Sequence, residues 1–277
     1  MVKRIKIFVA SHKPIEKYGD DCYQLIHVGA SQHPDVRIEG AELDNNGEEN
    51  ISEKNDKYCE LTGLYHIWKN VHDVDITGLV HYRRFFVRKN KITKNPNRII
   101  LSKNEIQSIM SKYDVILGVP TDKKYAVGGF FTNPLDVPEF AIYRNILPSI
   151  KLLYPEYVED YYKEFFEPTM SFCNMMICKK ELFNQYCEFL FNVLFDAEKR
   201  WIDAGIGVAP REMGYISEYL LNCWMHHNKQ LRICYMPIAL FEDTNKISFK
   251  VHYLLYRMGL NWLNPFVDSI YAKFIKK

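Results

Sequence analysis

The chain has 277 residues, 47% of them hydrophobic and 25% charged, a composition typical of globular proteins that bury a sizeable core. Thirty-six basic against 34 acidic side chains give a formal net charge of +2, which lacks the basic excess of a general nucleic-acid-binding protein. No window is long and apolar enough to span a bilayer, no signal peptide is visible, and the cysteines are dispersed, so we expect a cytosolic protein with reduced thiols.

Two short apolar runs near the N-terminus predict the first strands of a sheet. Ile5 to Val9 is a β-branched run followed by Ser11 and His12, and Leu25 to Val28 is the second run. Polar residues at the tip of a first strand commonly contact a nucleotide in doubly wound folds. A plain polar turn is the alternative role for Ser11 and His12.

A helix is predicted from about Asp56 to Asn70, after a polar, turn-rich loop over residues 44–50. Asn55 or Asp56 can cap it by accepting hydrogen bonds from the free N–H groups of the first turn. Glu60 lies at the border of the apolar stripe, where a carboxylate is usually a solvated flank. The stripe itself consists of Tyr58, Leu61, Leu64, Tyr65 and Trp68.

The next strand, Ile76 to Val80, ends at the tetrapeptide His81-Tyr82-Arg83-Arg84. In open α/β sheets, ligands bind just outside the carboxyl ends of the strands. Adjacent arginines in that place suit an anionic ligand, because a guanidinium group meets phosphate with two parallel hydrogen bonds. Surface arginines paired with nearby carboxylates are the alternative. A phosphate-bearing ligand is therefore our working hypothesis.

Ser102 and Glu105 form a capping box that opens a helix, and Tyr113 to Val119 is a further strand. The recurrence of strand, helix and strand favours an α/β sheet with parallel members. Residues 121–170 are less periodic and are interpreted as a mobile loop or small subdomain, suited to a lid or to specificity. The remaining predicted elements are a buried strand over Ser171 to Cys178 and helices over Lys180 to Trp201 and Gly214 to His227.

The C-terminal residues 246–277 differ from the rest of the chain because aromatic and basic side chains alternate along them. Gly259 and Pro265 divide this segment into two predicted helical pieces. An amphipathic, basic and aromatic segment can lie in a membrane interface. A packed helix with a solvated basic tip is the alternative. We therefore predict a globular domain over 1–245 and an amphipathic helical tail over 246–277.

Several familiar signatures are absent, including a Walker A loop, a G-x-G-x-x-G after a strand and H-E-x-x-H. Also absent is an Asp-x-Asp at a strand end, the usual metal-binding motif of nucleotide-sugar enzymes. The segment His81-Tyr82-Arg83-Arg84 occupies the corresponding place. If the ligand is a nucleoside diphosphate, Arg83 and Arg84 can neutralise it in place of a cation.

Two long stretches, Asn50 to Asn70 and Gly78 to Phe86, resemble a bacterial family long known as a domain of unknown function. That family is now regarded as glycosyltransferases of capsule and O-antigen gene clusters. The resemblance covers roughly residues 3 to 240 and departs from the family pattern at Tyr219, where an arginine is usual. Shorter matches in the same order are Ser11 to Lys13, Val28 to Ala30, Asn174-Met175 and Arg211 to Asn222.

The resemblance implies a GT-A-like, Rossmann-like α/β fold with a mixed sheet flanked by helices, and a UDP-sugar donor. Some members are assigned as inverting galactofuranosyltransferases, so UDP-galactofuranose is the leading donor, ahead of UDP-galactose and UDP-glucose. The implied acceptor is a lipid-linked oligosaccharide on the inner face of the cytoplasmic membrane, where a basic tail would be held by anionic lipid. No metal cofactor is required by this hypothesis, although Mn²⁺ or Mg²⁺ can assist.

The candidate residues take roles within that hypothesis. Glu218, placed in the first turn of its predicted helix, is the first choice for the base that removes the acceptor proton, with Glu60 and Asp203 in reserve. The alternative role of Glu218 is to stabilise the positive helix N-terminus. The donor-binding candidates are Ser11, His12, Asn50, Asn55, His81, Tyr82, Arg83 and Arg84, and Arg211 is a further candidate for the acceptor or phosphate.

Two hypotheses from other classes stay open. A non-catalytic nucleotide-sugar or glycan-binding subunit of a polysaccharide assembly complex is compatible with the missing metal motif, and a measurement of UDP release discriminates it. A nucleic-acid-binding protein that uses basic and aromatic residues is disfavoured by the near-neutral charge and by the lack of a basic stripe.

Overall fold

A computed structural model describes residues 3–88, 96–123 and 138–241. Its strands are β1 Ile5–Ser11, β2 Tyr23–His27, β3 Glu42–Leu43, β4 Ile76–His81, β5 Arg84–Phe86, β6 Val115–Gly118, β7 Thr121–Asp122, β8 Thr169–Met170, β9 Met176–Lys179, β10 Ile233–Met236 and β11 Ile238–Leu240. Its helices are α1 Asn55–Tyr58, α2 Leu61–Asn70, α3 Lys103–Met110, α4 Pro138–Leu153, α5 Val158–Phe166, α6 Lys180–Asp203 and α7 Glu212–His227.

The main sheet is mixed and has the strand order β10-β6-β9-β4-β1-β2-β3, with β5 and β11 attached beside β4. Strands β10, β6, β4, β1, β2 and β3 run parallel, and β9 is antiparallel to both of its neighbours, β6 and β4. The ends of β1, β2, β4 and β6 therefore meet the start of β9 at one side of the sheet, which we call the carboxyl edge. The predicted α/β class and mixed sheet are confirmed.

Both faces of the sheet are covered by apolar side chains, because residues alternate between the faces along each buried strand. In β1, Phe8 and Ala10 face the helices α1, α2, α6 and α7, whereas Ile7 and Val9 face the side that α3 covers. The strands predicted over Ile5 to Val9, Leu25 to Val28, Ile76 to Val80 and Tyr113 to Val119 are confirmed as the largely buried β1, β2, β4 and β6. The long helices predicted after residue 180 are also confirmed.

The helix predicted over Asp56 to Asn70 is wrong as a single element. It breaks between α1 and α2, where Cys59 adopts a left-handed φ of 51°. Asn55 does not cap the N-terminus; its Nδ2 donates to the Cys59 carbonyl at 2.6 Å and to Thr62 Oγ1 at 3.0 Å. The amide thus satisfies a carbonyl oxygen that the break removes from the helical ladder.

The strand predicted over Ser171 to Cys178 is also too long, since only Met176–Lys179 is a strand. Ser171 pairs instead with the side chain of Asn222, which accepts from its N–H and donates to its carbonyl, both at 2.9 Å. Cys173 and Asn174 then take left-handed φ values of 78° and 50°. A side chain from α7 therefore replaces a strand partner, and the chain turns before it enters the sheet.

The region predicted as a mobile loop or small subdomain contains α4, α5 and the two-stranded β7–β8 sheet, while residues 124–137 lie outside the described ranges. Among the described residues, no helix combines the length and the apolarity needed to cross a membrane. The predicted tail over 246–277, and with it the domain division at residue 245, lies outside the described residues.

Candidate functional site

A left-handed turn at Cys173 and Asn174 joins three elements at the carboxyl edge. The Cys173 N–H donates to Glu218 Oε1 at 3.0 Å, and the Cys173 carbonyl lies 2.6 Å from His81 Nε2. Asn174 Nδ2 donates to Glu60 Oε1 at 2.8 Å. The turn therefore brings two glutamates, from α7 and from the start of α2, close to the end of β4.

Glu218 lies seven residues into α7, because the helix begins at Glu212 and not at Gly214. The placement of Glu218 in a first helical turn is wrong, and so is its alternative role as a charge on the helix N-terminus. Burial, and then the charge of Glu60, raise the pKa of Glu218 to about 8, against the Cys173 N–H and the charges of Arg84 and Arg211. A carboxyl group with this pKa exchanges its proton near neutral pH.

Glu60 follows the break between α1 and α2, so its side chain is directed by a kink and not by a continuous helix. The expectation that it is a solvated flank is wrong, because the buried Asn174 amide binds its carboxylate. Asn174 also donates to the Gly214 carbonyl at 3.1 Å, which ties the same amide to α7. Its Oδ1 atom is buried without a hydrogen-bond partner among the described residues.

His81, the last residue of β4, contacts the backbone of the turn through its side chain. A backbone carbonyl only accepts hydrogen bonds, so the 2.6 Å contact with Cys173 assigns the proton to His81 Nε2. Burial lowers the pKa of His81, which keeps the ring neutral at physiological pH. The imidazole therefore positions the turn without adding a positive charge to the cluster.

Arginines supply the positive charge near the two glutamates. Arg84 opens β5 opposite His81 in an antiparallel pair, and its charge acts on Glu218 and on His81. Arg211 is exposed, takes a left-handed φ of 65° just before α7, and donates its N–H to the Asp56 carbonyl at 2.8 Å. Its charge also acts on Glu218. Residues far apart in the chain thus form a cluster of alternating charge.

A second group forms where β1 and β4 end side by side. The Tyr82 N–H donates to the Ala10 carbonyl at 2.9 Å, and the Tyr82 ring meets the His12 ring edge-on at 5.4 Å. Arg83 lies 5.5 Å from the same ring, and Ser11 Oγ bonds the Lys13 backbone. The candidates from the two strand ends are therefore neighbours, with an aromatic ring between cationic and polar groups.

Three candidates lie apart from these groups or have local structural roles. Asn50 is exposed, and its Oδ1 accepts from the Ser52 N–H at 3.3 Å. Asn55 is occupied at the break after α1, as described above. Asp203 ends α6 and pairs with Lys199 at 2.5 Å on an exposed surface.

Sequence reasoning missed Asp44, which is fully buried and shapes the loop after β2. Its carboxylate accepts from the N–H groups of Gly29 at 2.7 Å and Ala30 at 3.0 Å, and from Ser52 Oγ at 2.5 Å. The signal was a lone acidic residue in a polar loop, which does not predict burial. Asn174 offered a better signal, since asparagine is enriched at left-handed positions.

A family model described as a domain of unknown function, DUF4422, matches residues 6–229. The chain belongs to this family. Its fold is also similar to a solved structure, the apo form of the bifunctional glycosyltransferase WbbM, with a TM-score of 0.73 and 24% identity over 86% of the chain. The similarity covers 45% of WbbM, less than half of that chain. A search of curated proteins found no match.

In this DUF4422 chain, the described residues include no group of three or more His, Cys, Asp or Glu side chains that could hold a metal ion. The two glutamates of the cluster are bound by an amide and by a backbone N–H instead. The charged groups at the carboxyl edge are thus two carboxylates near the arginine side chains. It is suited to proton transfer and to binding an anion.

Proposed function

We propose that the protein is an inverting glycosyltransferase that moves a hexose from a UDP-sugar to a glycan acceptor, with Glu218 as the base. The observation that carries the proposal is the Glu60–Glu218 pair, held by the Cys173–Asn174 turn at the carboxyl edge beside Arg84 and Arg211. Sugar transfer from a nucleoside diphosphate needs a base whose pKa lies near neutral pH and cations that stabilise the leaving diphosphate. Membership of DUF4422 and the fold shared with WbbM support it.

The chemistry needs one proton transfer and one displacement. The acceptor hydroxyl oxygen attacks the anomeric carbon while Glu218 takes its proton, and the bond from that carbon to the diphosphate oxygen breaks. The electron pair leaves with UDP, whose growing negative charge Arg83 and Arg84 stabilise at the end of β4. Glu60 keeps the proton affinity of Glu218 high, because two adjacent carboxylates cannot both ionise easily.

The finer assignments follow the same hypothesis. Galactofuranose is the leading donor sugar, and the acceptor is a lipid-linked oligosaccharide of capsule or O-antigen synthesis at the inner face of the cytoplasmic membrane. His12 and Tyr82 lie beside Arg83, so they are suited to hold uridine or ribose, whereas Ser11 is a weaker candidate because it is buried and its hydroxyl donates to the Lys13 carbonyl. Asn50 and Asn55 are weaker donor-binding candidates, because Asn55 already bonds two groups of its own segment.

The test combines nucleotide binding with product release. We expect UDP, but not GDP or CMP, to raise the melting temperature, and EDTA to leave the shift unchanged, because a ligand that binds only the folded state stabilises it. UDP release from UDP-galactofuranose should require acceptor. Glu218→Gln should keep the UDP shift and lose release by at least about a hundredfold. A UDP shift without any release would favour a binding subunit, and no shift with any nucleotide would overturn the proposal.

A further inference from the structure

A cleft of about 360 Å³ opens between the turn that precedes α1, helix α2 and the C-terminal turns of α6. Its walls combine apolar and ring surfaces with charge. The principal lining residues are Ile51, Lys54, Tyr65, Phe195, Glu198 and Ile202. None of them belongs to the candidate site at the carboxyl edge, so the cleft needs a separate explanation.

Glu198 is held in a fixed position at this cleft, because its side chain is only 8% exposed. Tyr58 Oη donates to Glu198 Oε2 at 3.0 Å, and Lys54 forms an ion pair with the same oxygen. Lys54 Nζ also lies 5.7 Å from the Phe195 ring. A preorganised carboxylate and ammonium beside aromatic and aliphatic surface is therefore the chemical character of the cleft.

The cleft lies at the same edge of the molecule as the Glu60–Glu218 cluster. Helix α6 starts at the opposite edge, where the Lys180 N–H donates to the Asp75 carbonyl just before β4. Its 24 residues extend about 36 Å back across the sheet, which brings the last turns to the carboxyl edge. Tyr58 and Glu60 are two residues apart, so at most about 7 Å separates their Cα atoms.

We infer that this cleft binds a hexose unit of the acceptor glycan, remote from the hydroxyl that is attacked; the inference rests on the proposed function. A hexose presents hydroxyl groups around an apolar ring face, which matches Glu198 and Lys54 beside Phe195 and Ile202. A diphosphate would meet the carboxylates of Glu198 and Asp203. A lipid chain would cover the charged groups of the cleft without offering them any hydrogen bond.

A glycan array of bacterial surface oligosaccharides, two to six hexose units long, tests the cleft without requiring transfer. The variant Lys199→Ala/Ile202→Ala removes two lining side chains that are 74% and 61% exposed, so the fold should persist. Ile206→Ala is the matched control, because Ile206 is 51% exposed just beyond the end of α6. We expect the double variant to lose array binding at least about tenfold and the control to retain it.

Two outcomes would overturn the inference: no oligosaccharide binds the wild type, or the double variant binds as well as the wild type. The whole chain carrying Glu218→Gln should bind the same glycans as the wild type, since the cleft does not include Glu218. Failure of UDP release together with cleft-dependent glycan binding would reject the transferase and keep the glycan site. Retained UDP release with no effect of the double variant would reject the glycan site alone.

Discussion

Glu60 and Glu218 act on each other at the residue scale, and the pH dependence of transfer should show it. Only the ionised Glu218 can accept a proton, so activity should rise with pH toward a plateau above about 8, the raised pKa of that group. Glu60→Gln removes the like charge but keeps an oxygen for Asn174, and should move the rising limb to lower pH by about one unit.

The measurement is kcat/KM from UDP release between pH 5 and 9. Glu53→Gln is the control, because Glu53 is an exposed carboxylate in the preceding turn and should leave the profile unchanged. If kcat/KM of Glu60→Gln rises at the same pH as that of the wild type, the two carboxylates do not interact.

The same raised pKa predicts an effect on stability. The native protein holds a proton on Glu218 up to about pH 8, whereas the unfolded chain releases it near the ordinary glutamate pKa of 4.5. The native state thus binds more protons in this window, and the free energy of unfolding falls as pH rises from about 4.5 to 8. Glu218→Gln carries no such proton and should be increasingly more stable than the wild type across the window, by roughly 1–3 kcal/mol at pH 8.

Calorimetric melting at pH 5 and pH 8 measures this difference. The advantage of Glu218→Gln should be small at pH 5 and reach a few degrees at pH 8. An advantage that is independent of pH would contradict the assigned pKa. Such a gain would also fit the common pattern in which a functional site is kept at a cost in stability.

Single residues were predictable where local chemistry alone decides their role. The strand-end arginines and Glu218 were proposed from such local patterns; the expected place of Glu218 in a first helical turn is wrong, and the roles of these residues stay predictions. The buried network of Asp44 was not, because burial there depends on N–H groups donated from a loop 14 and 15 residues earlier in the chain. The role of Glu60 likewise depends on an amide 114 residues away.

At the scale of elements, β4 and β9 leave no room for a side chain at Gly78 in β4. A Cβ atom built there would lie 2.1 Å from the Met176 carbonyl oxygen and 2.8 Å from Ile177 Cα in β9. Both neighbours are backbone atoms, so Gly78→Ala must push β4 and β9 apart, next to the turn that holds the two glutamates. We expect a loss of about 2–4 kcal/mol in urea denaturation and a matching loss of transfer.

Gly207→Ala is the matched control, since a Cβ atom there meets nothing within 4 Å. It should be neutral to slightly stabilising, because alanine restricts the unfolded chain. Equal stability of the two variants would mean that β4 and β9 can separate without cost.

Elements with signals in their own sequence were predicted correctly. The capping box is an example, with the Ser102 N–H donating to Glu105 Oε2 at 2.9 Å at the start of α3. The break at Cys59 and the turn before β9 were missed, because side chains of Asn55 and Asn222 stabilise them through tertiary or medium-range contacts. A periodic pattern shows which face is apolar but does not show where another side chain replaces a backbone partner.

At the scale of the whole molecule, the alternation of strands and helices predicted the α/β class but not the sheet order. Strand β9 lies antiparallel between β6 and β4 because the chain re-enters the sheet from the carboxyl edge, directly after the turn. That direction depends on the unpredicted turn at Cys173 and Asn174. The missed element is therefore also the one that builds the candidate site.

The basic tail gives a prediction for the whole protein. If residues 246–277 hold the protein to anionic lipid, reversing the charge of Lys273, Lys276 and Lys277 in the full chain should weaken binding to phosphatidylserine vesicles. Each surface lysine contributes about 1 kcal/mol, so losing three should cost at least about a hundredfold in affinity.

Lys17, Lys112 and Lys151 are exposed lysines of the described part of the chain, and reversing them changes the net charge by the same amount. That control should keep vesicle binding in a flotation assay, and both variants should keep the melting shift with UDP. Equal loss in the two variants would mean that total charge, and not the tail, determines membrane binding. Unchanged binding in both would remove the membrane role of the tail, while the Glu60–Glu218 site and its chemistry would stand unaffected.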